Sequence, residues 1–178
     1  VPPQEILPIL DAHYQSSVPG LYVIGDVTGV PLVKIAANQG AEVIERMEQN
    51  RAFARDDHDT GSLDVVIIGA GPAGLAAALE AEKKNLKYVL LERSVAANTV
   101  RGFPPGKKVY SEPRFLKNQS QLPVEGDREK SDFLAMVQQA IQEHQLKIKE
   151  GVEVERIRKK GDHDFQVEVA SGPPFPAR

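Results

Sequence analysis

Gly69-Ala70-Gly71-Pro72-Ala73-Gly74 spells Gly-x-Gly-x-x-Gly, a spacing of residue types suited to holding a pyrophosphate. Gly69 permits a tight turn, Gly71 lets the backbone touch the phosphates, and Gly74 lets the next helix pack closely on the preceding strand. Pro72 and Ala73 complete the turn. The helix beyond it offers unpaired N–H groups and the positive end of its dipole. Glu92 lies 18 residues beyond Gly74, where a carboxylate accepts both hydroxyls of a ribose. An acid there disfavours a 2′-phosphate, so NADP does not suit this position. The plain alternative is a glycine-rich strand-to-helix turn without a ligand.

A turn of this kind works only between the right elements, and the sequence supplies them. Val65–Ile68 is a run of four β-branched residues, predicted as a strand. Leu75–Lys84 is a helix of good formers stopped by Asn85, and Tyr88–Leu91 is a strand ending at Glu92. Together they make one βαβ unit. Upstream, Leu21–Ile24 reads as a short buried strand of parallel-sheet type closed by Gly25-Asp26. A helix over Leu32–Ala54 follows, with Ile35, Ala36, Gln39, Val43, Ile44 and Met47 on its inner side.

Downstream, Ala96–Arg128 lacks periodicity and reads as a long ordered loop. Ser131–His144 has a helical pattern. Lys147–Arg158 and Phe165–Val169 alternate, as an antiparallel hairpin around Gly161-Asp162 would. The expected fold is therefore α/β: a Rossmann-like parallel sheet with a small antiparallel β-hairpin layer.

Composition narrows the function. The 178 residues are 41% hydrophobic and 26% charged, which is ordinary for a globular chain. A net charge of −3 gives no basic excess to attract nucleic acid. There is no cysteine, so the chain cannot form a disulfide or a thiol redox centre. Pro72 interrupts the longest uncharged stretch, Val65–Leu79, and a bilayer needs about 20 apolar residues, so no membrane span is expected. A cytoplasmic location is the expectation. His13, His58, His144 and His163 are scattered without metal spacing. Opening on Val1 rather than Met, the chain reads as an excised fragment.

Val65–Ala78 (V-V-I-I-G-A-G-P-A-G-L-A-A-A) followed by Leu90-Leu91-Glu92-Arg93 resembles the FAD-binding start of the thioredoxin reductase-like flavoproteins, which carry one domain for FAD and another for NAD(P)H. Pro19–Asp26 (P-G-L-Y-V-I-G-D) resembles the Gly-Asp motif near the C-terminus of the same family. The resemblance implies that Gly25 and Asp26 reach the ribityl–pyrophosphate part of FAD, and that Glu92 and Arg93 lie at its ribose. It implies a Gln-Gly pair on the next helix, matched by Gln39-Gly40. That helix would aim the backbone N–H groups of Val33, Lys34 and Ile35 at the pyrimidine end of the flavin. Asn98–Phe103 and Gly106–Tyr110 resemble a stretch of cysteine-free relatives, with Lys107 as a candidate for the FAD phosphates. Val154 matches the strand whose backbone holds the adenine.

The order of these motifs is reversed. In the family the glycine turn comes first and the Gly-Asp segment last, whereas here they fall at 69–74 and 25–26. No second Gly-x-Gly-x-x-Gly offers a nicotinamide site. A junction between tandem units and a circular permutation both account for this order. The expected division is a C-terminal-type FAD segment over 1–55, a linker over 56–63, an N-terminal-type FAD segment over 64–171 and a disordered tail over 172–178, the two segments forming one FAD-binding domain. Leu21–Ile24, the helix and Asp64–Ile68 would form a right-handed βαβ crossover. A homodimer that swaps halves is the lesser option.

The resemblance implies an oxidoreductase that passes electrons from NAD(P)H, bound by a domain outside this chain, through FAD to an acceptor protein or small molecule. The chain alone would bind FAD and turn over poorly or not at all. Two other readings stay open, a non-catalytic dinucleotide-fold interaction module and an NAD-binding dehydrogenase domain. The second gives Gly25-Asp26 and Gln39-Gly40 no role.

Overall fold

The structure, a computed structural model, describes residues 7–50, 61–162 and 164–178. Its centre is a parallel sheet of β1 (Val65–Ile68), β2 (Tyr88–Glu92) and β5 (Ile148–Glu150) in the order β1-β2-β5. Ile67 pairs with Leu90, and Leu90 in turn with Ile148. All five residues of β2 are buried, as befits a central strand covered on both faces. Its side chains alternate between two cores. Tyr88 and Leu90 join the main one, while Val89 and Leu91 join a smaller one with Val167.

The main core packs α1 (Val33–Gln49), α2 (Pro72–Lys83) and α4 (Lys130–Glu143) together with the sheet. Helix α2 buries a run of alanines, Ala73, Ala76, Ala77, Ala78 and Ala81, whose small side chains bring its neighbours close. A Cβ at Gly40 of α1 would fall 2.0 Å from the Ala73 carbonyl oxygen, so α1 touches α2 backbone to backbone. Helix α4 turns Phe133, Val137 and Ala140 inward at helical spacing.

The strand–turn–helix–strand unit at 65–92 agrees with the sequence reading. Other expectations need correction. Leu21–Ile24 joins no sheet and makes only an isolated antiparallel bridge, Gln15 to Tyr22. Among the described residues no strand lies beyond β1 to pair with it, so its apolar side chains (Tyr22 and Ile24) pack on the core without a ladder. The expected crossover between that segment and β1 is therefore not formed. Helix α1 ends at Gln49, and the rest of the expected helix and linker, 51–60, lies outside the described residues.

The run Lys147–Arg158 is two strands. Gly151, at φ +72°, breaks it, so β5 enters the parallel sheet while β6 (Val154–Gly161) pairs antiparallel with β7 (Asp164–Val169). The tail over 172–178 is ordered. β8 (Phe175–Ala177) pairs with β7, and the Arg178 N–H donates to the Leu63 carbonyl. Pro-rich composition suggests a loose end, yet Pro176 sits where its carbonyl accepts from Leu63 N–H, and Ala177 is buried. The long loop holds a short helix α3 (Asn98–Arg101) and a two-residue strand β3 (Lys108–Val109) paired with β4 (Arg128–Glu129).

Candidate functional site

A cleft of about 230 Å³ opens at the carboxyl ends of β1 and β2, where open α/β sheets take their ligands. Gly69, Gly71 and Pro72 form one wall, and Glu92 with Arg93 another. Ala97, Asn98, Thr99 and Val100 form the third. Each glycine of the turn has a distinct physical role. Gly69 sits at φ +93°, which a side chain would strain. A Cβ at Gly74 would lie 1.9 Å from the Gly69 carbonyl oxygen, so only glycine lets α2 start there. A Cβ at Gly71 meets nothing within 4 Å, and this face of the backbone stands open for an approaching group.

Helix α2 begins with Pro at its first position, and no side chain caps it. Its first intrahelical bond runs from Leu75 N–H to the Gly71 carbonyl, so the N–H groups of Ala73 and Gly74 precede the ladder. Glu92 is 9% exposed and faces the turn. One oxygen accepts from Ala70 N–H at 2.8 Å and the other from Ser94 N–H at 2.8 Å. A carboxylate has about four lone-pair sites, so two remain for sugar hydroxyls. An uncapped helix start, an open glycine face and an oriented acid at one cleft fit a dinucleotide's pyrophosphate and ribose.

The second motif meets the first. A Cβ at Gly25 (φ +82°) would lie 3.1 Å from the Ala73 Cβ, which sets Gly25 against the start of α2. The exposed Asp26 opens a 3-10 turn, Asp26–Thr28. Val33, Lys34 and Ile35 form the first turn of α1, ahead of its first bond from Ala36 N–H to the Leu32 carbonyl and without a side-chain cap.

Other candidates stand apart from the cleft. The Lys34 side chain is 2% exposed and donates to the Pro113 and Leu116 carbonyls at 3.3 and 3.0 Å. It also pairs with Glu125 at 3.3 Å. Lys107 lies 4.0 Å over the Phe103 ring and does not line the cleft. Val154 pairs with Val169 and packs on the smaller core. Asn98 and Thr99, in contrast, line the cleft although their types alone do not single them out. The available signal was their place just after the acid-bearing strand. Ala97 N–H bonded to the Ala70 carbonyl at 2.8 Å ties that segment to the glycine turn.

The sequence profile of the pyridine nucleotide-disulphide oxidoreductases matches residues 66–177. The chain belongs to that family. That membership agrees with the resemblance carried by the glycine turn.

Solved structures give the same fold. Bacillithiol disulfide reductase from Staphylococcus aureus is 22% identical with a TM-score of 0.55, covering 66% of this chain and 36% of that one. A flavin-containing monooxygenase from Stenotrophomonas maltophilia is 24% identical at TM-score 0.56, with the same coverage. The bacillithiol disulfide reductase of Bacillus cereus is 24% identical at TM-score 0.55, covering 65% and 37%. The chain thus spans little more than a third of the length of these relatives. Its fold is that of an FAD-binding-type domain of flavoprotein oxidoreductases. No helix among the described residues is long and apolar enough to cross a membrane.

Proposed function

We propose that this chain is the FAD-binding portion of an oxidoreductase that passes electrons from NAD(P)H through FAD to an acceptor. The nicotinamide is held by a domain outside these residues. The observation that carries the reading is the approach of Gly25 to Ala73, because it sets the Gly-Asp turn beside the phosphate-binding turn within one chain. A dehydrogenase-type NAD domain has no use for that arrangement.

In this reading the N–H groups of Ala73 and Gly74 and the open face of Gly71 take the pyrophosphate. Glu92 takes the adenosine ribose, with Arg93 beside it. Asp26 reaches the ribityl–pyrophosphate part. The first turn of α1, Val33 to Ile35, points N–H groups and a positive dipole end at the flavin's pyrimidine. The bound flavin supplies the hydride and electron transfer, while the protein positions it and tunes its charge. Residues 1–55 and 64–171 would act as two parts of one FAD-binding unit, and the acceptor is a protein or a small molecule.

The test is the visible spectrum of the purified chain, with the cofactor released by heat and identified by chromatography. A yellow protein yielding about one FAD per chain supports one complete site. Sizing that shows FAD only in dimers would favour swapped halves. A colourless chain that ignores added FAD would sink the proposal and favour a non-catalytic interaction module.

A further inference from the structure

Gln39 is buried, at 5% exposure, among the apolar residues Ala36, Val43 and Ile44 that α1 also buries. Its side chain reaches back to the Gly-Asp turn. The Gly25 N–H donates to its Oε1 at 2.7 Å, and its Nε2 donates to Thr28 Oγ1 at 3.3 Å. The Thr28 hydroxyl donates onward to the Gly25 carbonyl at 2.8 Å. The circuit closes on one residue: Gln39 takes the Gly25 N–H, and the Thr28 hydroxyl joins the Thr28 backbone N–H, at 2.9 Å, on the Gly25 carbonyl. Gly25 is itself buried, so water cannot take over its N–H. Gln39 is the partner the structure gives that N–H.

Gly40, the next residue, acts through the side chain it lacks. Its backbone meets the Ala73 carbonyl, and Gly25 meets the Ala73 Cβ. One α1 dipeptide therefore does two jobs at a single place. Gly40 sets the depth of α1 on the start of α2, and Gln39 sets the turn that presents Asp26 beside it. No partner holds the Asp26 carboxylate among the described residues, so its direction depends on the backbone of this turn.

We propose that Gln39 is a positioning residue that holds the Gly25–Thr28 turn so that Asp26 faces the cofactor. The inference rests on the FAD reading for its last step alone. The amide side chain suits the task because it accepts from Gly25 and donates to Thr28 at once. A carboxylate keeps the acceptor, whereas a leucine leaves a buried N–H with nothing to bond.

Amide hydrogen exchange in the ligand-free chain tests the geometry. In Gln39→Leu the Gly25 amide should exchange about tenfold faster or more, with the amides of α1 and α2 unchanged. In Gln39→Glu its protection should persist. Unchanged protection of Gly25 in Gln39→Leu overturns the proposal. If Gln39→Leu does not fold, Thr28→Val decides. That variant removes the second half of the circuit and should speed Gly25 exchange about threefold, and no change there overturns the proposal equally.

FAD titration then tests the consequence. Gln39→Leu and Asp26→Ala should each weaken FAD binding, and the double variant should be no weaker than the worse single one. Losses that multiply overturn the positioning role. A wild-type chain that does not bind FAD defeats the cofactor reading instead, leaving the exchange result to judge Gln39.

Discussion

The Glu92 carboxylate accepts the Ala70 amide proton at 2.8 Å, so the acid at the end of β2 braces the glycine turn at the end of β1. Its other oxygen braces Ser94, which begins the segment lining the far wall of the cleft. Glu92 is thus a structural clasp as well as a candidate ribose ligand. Glu92→Ala should leave two N–H groups without their partner, at about 1–3 kcal/mol. Thermal unfolding should report this as a drop of several degrees, since about 1 kcal/mol shifts Tm by roughly 2–4 °C in a chain of this size. A sugar ligand alone would leave the Tm of the free protein untouched.

Two glycines of the same turn should respond in opposite ways. A methyl at Gly74 lands 1.9 Å from a carbonyl oxygen in a fixed turn, so Gly74→Ala must push α2 off the strand. Overpacking of that kind costs about 1–3 kcal/mol and sometimes more, and the variant should unfold early in urea. Gly71→Ala adds its methyl to open space at an extended φ of −78° and should unfold where the wild type does. If the chain binds FAD as proposed, the variant should nevertheless lose FAD affinity, because the methyl would occupy the open face assigned to the pyrophosphate. Equal stability loss in the two variants would contradict this division.

Most of the βαβ unit was legible because its signals are local. The β-branched run at Val65–Ile68, the glycines and Glu92 each act on near neighbours in sequence. The Leu21–Ile24 segment was misread for a non-local reason. Its composition suits a strand, but a strand also needs a partner, and the sheet provides none beyond β1 among the described residues. β8 was misread in the opposite sense. Prolines gave it a loose look, and its pairing with β7 and Leu63 depends on contacts no window of sequence contains. Lys34 was assigned by position on a helix, which fixes its backbone but not its side chain. That side chain is buried under a distant loop.

Removing the Lys34 ammonium should loosen that loop. It holds the Pro113 and Leu116 carbonyls, and Asn38, one helical turn on, bonds the Lys117 carbonyl and Gln119 N–H at 2.9 and 2.8 Å. Lys34→Met keeps the aliphatic bulk but strips two carbonyls of a charged donor, costing about 1–3 kcal/mol. The loss should be local. Trypsin should cleave after Arg114 or Lys117 several-fold faster in the variant, while β2 and α2 stay protected. Unchanged cleavage would show that Asn38 alone secures the loop.

Stability at high pH should depend on Tyr88. The residue is 2% exposed, and burial pushes its phenol up to about 12, partly countered by the Lys147 N–H that donates to its oxygen and reinforced by nearby Glu82. An unfolded chain ionises tyrosine near pH 10, so the folded state favours the neutral phenol. The sign follows from that order. With the folded value above the unfolded one, the contribution is complete below about pH 10 and is lost as pH rises toward about 12. Tyr88→Phe abolishes this titration and also forfeits the hydrogen bond from Lys147, at about 1 kcal/mol, at every pH. Lysines lose charge in the same window in both proteins, so the difference between the two isolates the phenol. Between about pH 7 and 9.5 the two unfolding temperatures should keep a constant gap, and above about pH 10 the wild type should fall more steeply, so that the curves converge. Parallel curves up to pH 11 would mean that Tyr88 ionises in the folded protein as readily as in the unfolded chain.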